Sequence, residues 1–383
     1  MMVGWKEYKL KDFCDFKYGK SLPDHKRKNG QYPVYGSSDI VAYHDTYFVK
    51  GPGIIIGRKG TVGKVQYTKE NYCPIDTTFY VEEDKSKVDL KYLYYRIQLC
   101  GLNSMNSDAA VPGLNRTVAM SQVINLPPLP IQRKISTILS AYDDLIENNL
   151  KRIKLLEEMA QKTYEEWFVK FRIDGVQLPI NKETGLPAGW EQRKLECLCS
   201  KITDGTHDTP KQTTNGIKLI TGKHILNGFI DFESAYTISE SDHLAIKKRS
   251  GLEKGDILFS NIGTLGNIAF VNQDFEFSCK NVFIFKQKKG FTNFLYTYLS
   301  SENIKQKLSN QSSGVAQKFY SLKFIRDLTD FLPTDDLIKK FDNYISPIYK
   351  LKYKLDNQNQ KLKEARNILL PRLMTGMIDV EKM

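Results

Sequence analysis

Two short glycine-bounded loops carry the side chains best suited to meeting a polyanion. The first is Gly57-Arg58-Lys59-Gly60-Thr61-Val62-Gly63-Lys64. Its glycines let the backbone approach a ligand closely, Arg58, Lys59 and Lys64 supply cations, and Thr61 adds a hydroxyl. The second is Ser260-Asn261-Ile262-Gly263-Thr264-Leu265-Gly266-Asn267. There the polar groups, Asn261, Thr264 and Asn267, are neutral, which suits base edges or sugars. The plainer reading of either loop is a tight hairpin with solvated side chains. A nucleotide-phosphate cradle is excluded, because Lys64 follows Gly63 directly and Val65 comes next, so the GxxxxGK[ST] spacing is not met.

Further polar groups stand beside Gly or Pro turns and have the right chemistry for phosphates or bases. They are Tyr35, Ser37 and Ser38, then Asn115 and Arg116, then Thr206, His207 and Lys211, then Lys223 and His224, then Gln317 and Lys318. The five histidines are scattered, with no metal-ligand spacing, so no metal and no cofactor are expected. A methyltransferase would need a Gly-rich cofactor loop and an Asn/Asp-Pro-Pro-aromatic motif; Pro127-Pro128 stands between Leu126 and Leu129 instead. Asp76 with Glu83-Asp84-Lys85 is the one foothold for a metal-dependent nuclease, and it reads better as a charged turn after a strand. The chain is therefore expected to be non-catalytic. The alternative is a stand-alone endonuclease or restriction enzyme that needs no partner subunits.

Two long amphipathic stretches must hold these loops in place. The first opens after Pro-Pro-Leu-Pro (127–130), with apolar residues at 135, 138, 142 and 145 and again at 153, 156, 160, 163 and 167. That is a coiled-coil seam of about five heptads with one stutter near Asn149, and a rod of about 60 Å. The second begins after Leu332-Pro333 and repeats the pattern at Ile338, Phe341, Ile345, Ile348, Leu355, Leu362, Leu369 and Leu373. Lys352, Asn359 and Arg366 fill its remaining seam positions. Pro371 should end it near Leu370, and Gly376 is a stop signal. Two rods of equal length pair most simply as an antiparallel coiled coil, with Asn148 and Asn149 facing the stretch 356–360.

The segment before each rod looks like a copy of the other. Gly4-Trp5 matches Gly189-Trp190, and Cys14 matches Cys199. Gly60-Thr-Val-Gly63 matches Gly263-Thr-Leu-Gly266, Cys73 matches Cys279, and Leu129-Pro130 matches Leu332-Pro333. A period this long means duplicated domains, since solenoid repeats are far shorter. The copies read as mixed α and β, with buried strands at 54–56 and 78–81 and at 257–259 and 282–285. Helices are expected over 92–98 and 294–308. The expected fold class is α+β, with two similar mixed domains separated by two long antiparallel helices and related by a pseudo-two-fold axis. The expected domains are 1–129, the spacer helix 130–172, a linker 173–188, 189–333, the second helix 334–375 and a tail 376–383.

Composition narrows the partner. The net charge is +12 with a sequence pI near 9.1. The segment 1–129 carries +5 and the segment 189–333 carries +4, so each copy is basic and nucleic acid is the commonest polyanion to expect. No apolar run approaches the ~20 residues of a membrane span. The six cysteines lack CxxC pairing, so reduced core thiols and a cytoplasmic setting are expected.

The residues then reach a known family. Leu-Pro-Pro-Leu-Pro-Ile-Gln-Arg-Lys-Ile (126–135), Leu-Pro-Ala-Gly-Trp-Glu (186–191), Asp-Gly-Thr-His (204–207) and the run from Leu362 to Gly376 carry the resemblance, in that order, across nearly the whole chain. The chain resembles the specificity subunit of type I restriction–modification systems. The resemblance implies two target recognition domains, each reading half of a bipartite, asymmetric site in double-stranded DNA. It implies that the helices set the spacing and dock two methyltransferase subunits, with restriction–translocation subunits joining the full assembly. On that footing Leu156, Tyr164, Trp167, Phe168, Leu362, Leu369 and Leu373 are expected to meet partners. Only the second copy shows the Asp-Gly-Thr-His element; the first has Gly19-Lys-Ser-Leu-Pro-Asp24 there.

Overall fold

The computed structural model describes residues 4–105, 113–226, 228–262, 265–311 (309–311 by backbone alone) and 319–382. Thr264, Gln317 and Lys318 lie outside the described residues. The chain divides into two units, Met1–Glu147 with Asn359–Met383, and Asn148–Gln358.

The first unit holds β1 (Lys6–Lys9), β2 (Cys14–Tyr18), β3 (Tyr32–Tyr35), β4 (Ile40–His44), β5 (Gly53–Gly57), β6 (Val65–Thr68), β7 (Cys73–Pro74) and β8 (Thr78–Glu83). Then come α1 (Leu90–Gln98), α2 (Arg116–Met120), β9 (Val123–Leu126) and the start of α3 (Leu129–Tyr164). The central sheet runs β2-β8-β5-β6, beside a smaller sheet β4-β3-β7 and the pair β1-β9. Ile54, Ile55 and Ile56 are fully buried in β5, as a continuous apolar run predicts for a strand covered on both faces. Asp89 caps α1 by accepting from the Tyr92 N–H at 2.8 Å. Gln132, also fully buried, ties the first turn of α3 to the loop before α1. Its amide donates to Pro127 O and Lys87 O and accepts from Asp89 N.

In the second unit a hairpin, β10 (Arg172–Ile173) and β11 (Val176–Gln177), opens the stretch read from sequence as linker. Asp174 and Gly175 turn it with φ of 51° and 80°, the Asp-Gly signature of a tight hairpin. There follow β12 (Glu191–Lys194), β13 (Cys199–Asp204), β14 (Ile217–Thr221), β15 (Ile225–Leu226), β16 (Phe229–Ile230), β17 (Thr237–Ile238), α4 (Glu240–Ser250), β18 (Ile257–Ser260), β19 (Ile268–Phe270), β20 (Ser278–Lys280) and β21 (Val282–Gln287). The unit closes with α5 (Thr292–Ser300), α6 (Glu302–Gln311), α7 (Leu322–Asp327), β22 (Thr329–Leu332) and the start of α8 (Asp335–Met374).

Its sheets run β13-β21-β18-β19, β17-β14-β20 and β12-β22, strand for strand the order of the first unit. Cys73 of β7 and Cys279 of β20 lie in the same parallel register, opposite Val34 and Ile220. The extra length of the second copy is the β15–β16 hairpin and α4. The stretch 294–308, read as one helix, is two, because Ser301 is extended (ψ 148°).

The helix seam differs from the expected one in phase. Leu139, Ile146, Asn149 and Ile153 are buried, whereas Leu145 is 48% exposed. The buried positions 135, 139, 146, 149, 153 and 160, with half-buried 142 and 156 between them, follow by fours and threes, so there is no stutter; packing selects Ile146 over its apolar neighbour. In the second unit Asn149 Nδ2 donates to Gln358 Oε1 at 3.4 Å, Glu157 lies 3.5 Å from Lys352, and Trp167 stacks edge-on to Phe341 at 5.5 Å. The pairing is therefore antiparallel, in the register expected for Asn149. In the first unit Ile135 and Leu139 share a core with Leu370 and Leu373, and Asp143 pairs with Arg366 at 2.6 Å. Pro371 does not end α8, which continues to Met374 because Leu373 and Met374 are buried. Gly376, at φ 73°, closes it.

That packing corrects four partner assignments. Tyr164, Trp167 and Phe168 belong to the core of the second unit and Leu373 to the core of the first. Each is at most 7% exposed, so none offers a surface to another chain. Leu156, Leu362 and Leu369 are half-buried along the helices.

Candidate nucleic-acid interface

In the first unit the loop 57–64 joins β5 to β6. Gly57 N donates to Lys64 O and Gly63 N to Gly57 O, both at 2.8 Å, closing a tight turn. Gly63 has φ 76°, and a Cβ there would lie 2.3 Å from Asn103 N, so only glycine fits. The β3–β4 turn comes alongside: the Lys64 ammonium donates to Ser38 O, and a Cβ on Gly57 would lie 2.9 Å from Ser37 O. Ser38, Lys59, Thr61 and Lys64 are exposed and Ser37 and Arg58 half-buried. These six residues make one surface. Tyr18, 57% exposed, joins it through Arg58, whose guanidinium lies 5.2 Å from its ring centre.

Three predicted residues of this unit are used internally. Tyr35 is buried and packs edge-on against Tyr72 at 6.0 Å. Asn115 is the N-cap of α2, accepting from Val118 N at 3.1 Å. Arg116 forms an ion pair with Asp15 and donates to Phe16 O at 2.7 Å. The suspected nuclease carboxylates are a turn, with Asp84 accepting from Ser86 N and Oγ. Among the described residues no group of three His, Cys, Asp or Glu is placed to hold a metal.

In the second unit the Asp-Gly-Thr-His loop follows β13. Gly205 N donates to Val282 O at 3.0 Å and Thr206 N to Cys279 O at 2.9 Å. The first unit makes the same two bonds from Gly19 N to Thr78 O and from Lys20 N to Pro74 O, at 3.0 and 2.9 Å. The two loops are one backbone device with different side chains. A Cβ on Gly19 would lie 2.1 Å from Ile75 O, just past β7, and one on Gly205 2.1 Å from Cys279 O of β20. Gly19→Ala and Gly205→Ala should each destabilise their own unit by roughly 1–3 kcal/mol or more. Urea unfolding monitored by circular dichroism checks this, and unchanged midpoints for both would refute it.

Buried Asp204 organises the second loop. It pairs with Arg249 at 2.7 Å and with His207 Nε2 at 2.9 Å, while His207 Nδ1 meets Asn281 Oδ1 at 2.9 Å. Arg249 comes from α4, so the insertion particular to this unit braces its loop. His207 and Lys211 are exposed, as is Lys223. Asn267 is spent on the turn itself, donating to Ser260 Oγ and to Ile225 O. Thr206, His224 and Asn261 are at most 6% exposed and are removed from the predicted contacts. Desolvation holds the His224 imidazole below its usual pKa, so it is a neutral core residue that accepts from Thr221 N at 2.9 Å.

Cys14, Cys73, Cys199 and Cys279 are buried, and Cys100 and Cys197 are half-buried. All six are free, and burial pushes the Cys199 thiol up to about 12. No described helix is long and apolar enough to cross a membrane.

Residues 2–158 and 187–359 match the model of the type I restriction modification DNA specificity domain. The chain belongs to that family. The two matched stretches begin at equivalent points of the duplication and together cover both glycine-bounded loops. The MjaIX specificity subunit of Methanocaldococcus jannaschii is 25% identical over 99% of this chain and 94% of its own. The EcoBI specificity subunit of Escherichia coli is 21% identical over 88% and 75%. A crystal structure of the type I restriction–modification S subunit from M. genitalium has a similar fold, with a TM-score of 0.57 at 16% identity over 97% of this chain and 96% of that one. Sequence reading missed Tyr18, Asp204, Arg249 and Asn281 in this candidate interface. The match of Gly19 to Gly205 was the available signal for Tyr18, while the inserted α4 has no counterpart from which to infer Arg249.

Proposed function

We propose that this chain is the non-catalytic DNA-reading subunit of a type I restriction–modification enzyme, and that each unit reads one half of a bipartite, asymmetric site. The observation that carries this reading is the duplication: one strand order, repeated, presents different side chains at the same loop positions. Ser38, Lys59, Thr61 and Lys64 give the first unit a cationic surface, and His207, Lys211 and Lys223 furnish the second. Cations position the backbone of DNA, while unlike side chains at matched points demand unlike bases. The paired helices set the distance between half-sites, about two turns of B-DNA for a rod of about 60 Å. The helices also dock two methyltransferase subunits, and restriction–translocation subunits complete the assembly. Half-buried Leu156, Leu362 and Leu369 remain the proposed contacts there.

Methylome sequencing of a host with and without the gene tests this. The expected result is one methylated bipartite motif, with unlike halves and a fixed gap, that vanishes on deletion. Cleavage or methylation by the purified chain alone, with magnesium and S-adenosylmethionine, would overturn the non-catalytic assignment.

A further inference from the structure

Arg58 differs from the arginines that the protein's own carboxylates hold. Arg27, Arg116, Arg193, Arg249 and Arg366 each pair with a carboxylate of the protein. Among the described residues Arg58 has no such partner, and its Nε is buried without a hydrogen bond. Its backbone is fixed on both sides: its N–H donates to Thr77 O at 2.8 Å, and its carbonyl accepts from Leu114 N at 2.9 Å. Its guanidinium lies 5.2 Å from the ring centre of Tyr18 and 6.0 Å from that of Phe79. Aromatic contact of this kind holds the guanidinium in place through its face and leaves edge N–H donors unspent.

A pre-oriented fork of donors without a protein acceptor matches one nucleobase edge above others, the O6 and N7 acceptors of guanine in the major groove. Exposed Lys59 beside it supplies the phosphate contact that fixes register. The corresponding position of the second unit is Asn261, only 6% exposed, whose carbonyl accepts from Tyr320 N. That unit has no such reader at this point.

We propose that Arg58, with Tyr18 as its platform, reads one guanine in the half-site taken by the first unit. This rests on the functional reading above and names a base that the reading leaves open.

The test uses the full chain assembled with the methyltransferase subunits of its own system. Binding and methylation are measured on duplexes varied one base pair at a time across both half-sites. The wild-type complex should disfavour replacement of one G·C pair in one half-site by roughly 5- to 150-fold. Arg58→Ala and Arg58→Lys should both lose that discrimination, at that base pair alone, with the salt slope unchanged. Tyr18→Leu should reduce it. Substituting 7-deazaguanine there should weaken the wild-type complex and leave Arg58→Ala unaffected, a probe that needs no folding control on the wild-type side.

Uniform weakening on every sequence, a salt slope lower by about one and rescue by Arg58→Lys would make Arg58 a phosphate contact and overturn the proposal. Full discrimination retained by Arg58→Ala would also overturn it while leaving the functional reading intact. A wild-type complex with no preference in either half-site would overturn that reading, and this one with it.

Discussion

Phe341→Ala is expected to destabilise the second unit by roughly 3–5 kcal/mol. Phe341 is fully buried. Its ring meets Trp167 at 5.5 Å, Phe168 at 4.9 Å, Tyr164 at 6.2 Å and Phe294 at 6.1 Å, mostly edge to face. Those partners come from the end of α3, from the turn that follows it and from α5, so one side chain joins the helix pair to the body of the unit. Removing it leaves a cavity walled by large rings, which cannot collapse into the space without leaving their rotamers. Aromatic pairs add about 0.5–1.5 kcal/mol each beyond burial. Leu145→Ala is the control, because Leu145 is 48% exposed on α3 and should shift stability by no more than about 0.5 kcal/mol. Urea unfolding followed by near-ultraviolet circular dichroism reads both variants. A loss under about 1 kcal/mol for Phe341→Ala would mean that this cluster does not secure the helices to the unit.

The same cluster shows why part of the site was illegible in the sequence. Large aromatics at the end of a spacer helix look like surface anchors for a partner, and nothing in spacing alone distinguishes an outside partner from the chain's own core. The helix phase failed for a related reason. Leu145 and Ile146 are equally apolar neighbours, and only the opposing surface decides which faces inward. Repetition was more informative than periodicity. Gly60-Thr-Val-Gly63, Cys73 and Leu129-Pro130 recur in order in the second copy, so the duplicated topology could be read before any contact was known. Individual DNA contacts were harder, because a polar side chain beside a turn serves equally as a cap, a core ion-pair partner or a reader. Asn115 became a cap, Arg116 an internal ion pair and His224 a core residue. Tyr18 and Arg58 are forty residues apart in sequence, and strands β2, β8 and β5 bring them together.

Lys352→Met should destabilise the second unit by roughly 3–5 kcal/mol at pH 8, and that loss should shrink as the pH falls. Lys352 is 1% exposed in the helix seam. Its ammonium donates to Gly228 O at 2.8 Å and to Asp356 at 2.9 Å, and lies 3.5 Å from Glu157. It thereby joins both helices to the β15–β16 turn. Gly228 has φ 93°, and a Cβ there would lie 2.5 Å from Glu157 Oε1, so the turn seats closely against the ion cluster. Methionine preserves the volume of the lysine stem, so the loss reports on charge and hydrogen bonding rather than on a cavity. Burial raises the Glu157 carboxyl above the ordinary glutamate range, and Lys352 is what opposes that rise. Without the ammonium the carboxyl climbs further. A carboxyl whose folded pKa exceeds its unfolded one contributes stability that is fully present below the unfolded value and lost as the pH rises through the folded one. The deficit of the variant should therefore be largest near neutral pH and above, and diminish toward pH 4.5 as Glu157 protonates and sheds its unpaired charge. Urea midpoints of wild type and variant at pH 8, 6 and 5 measure it. A deficit independent of pH would place the loss on Gly228 O and packing, and would show that Glu157 does not depend on Lys352 for its charge.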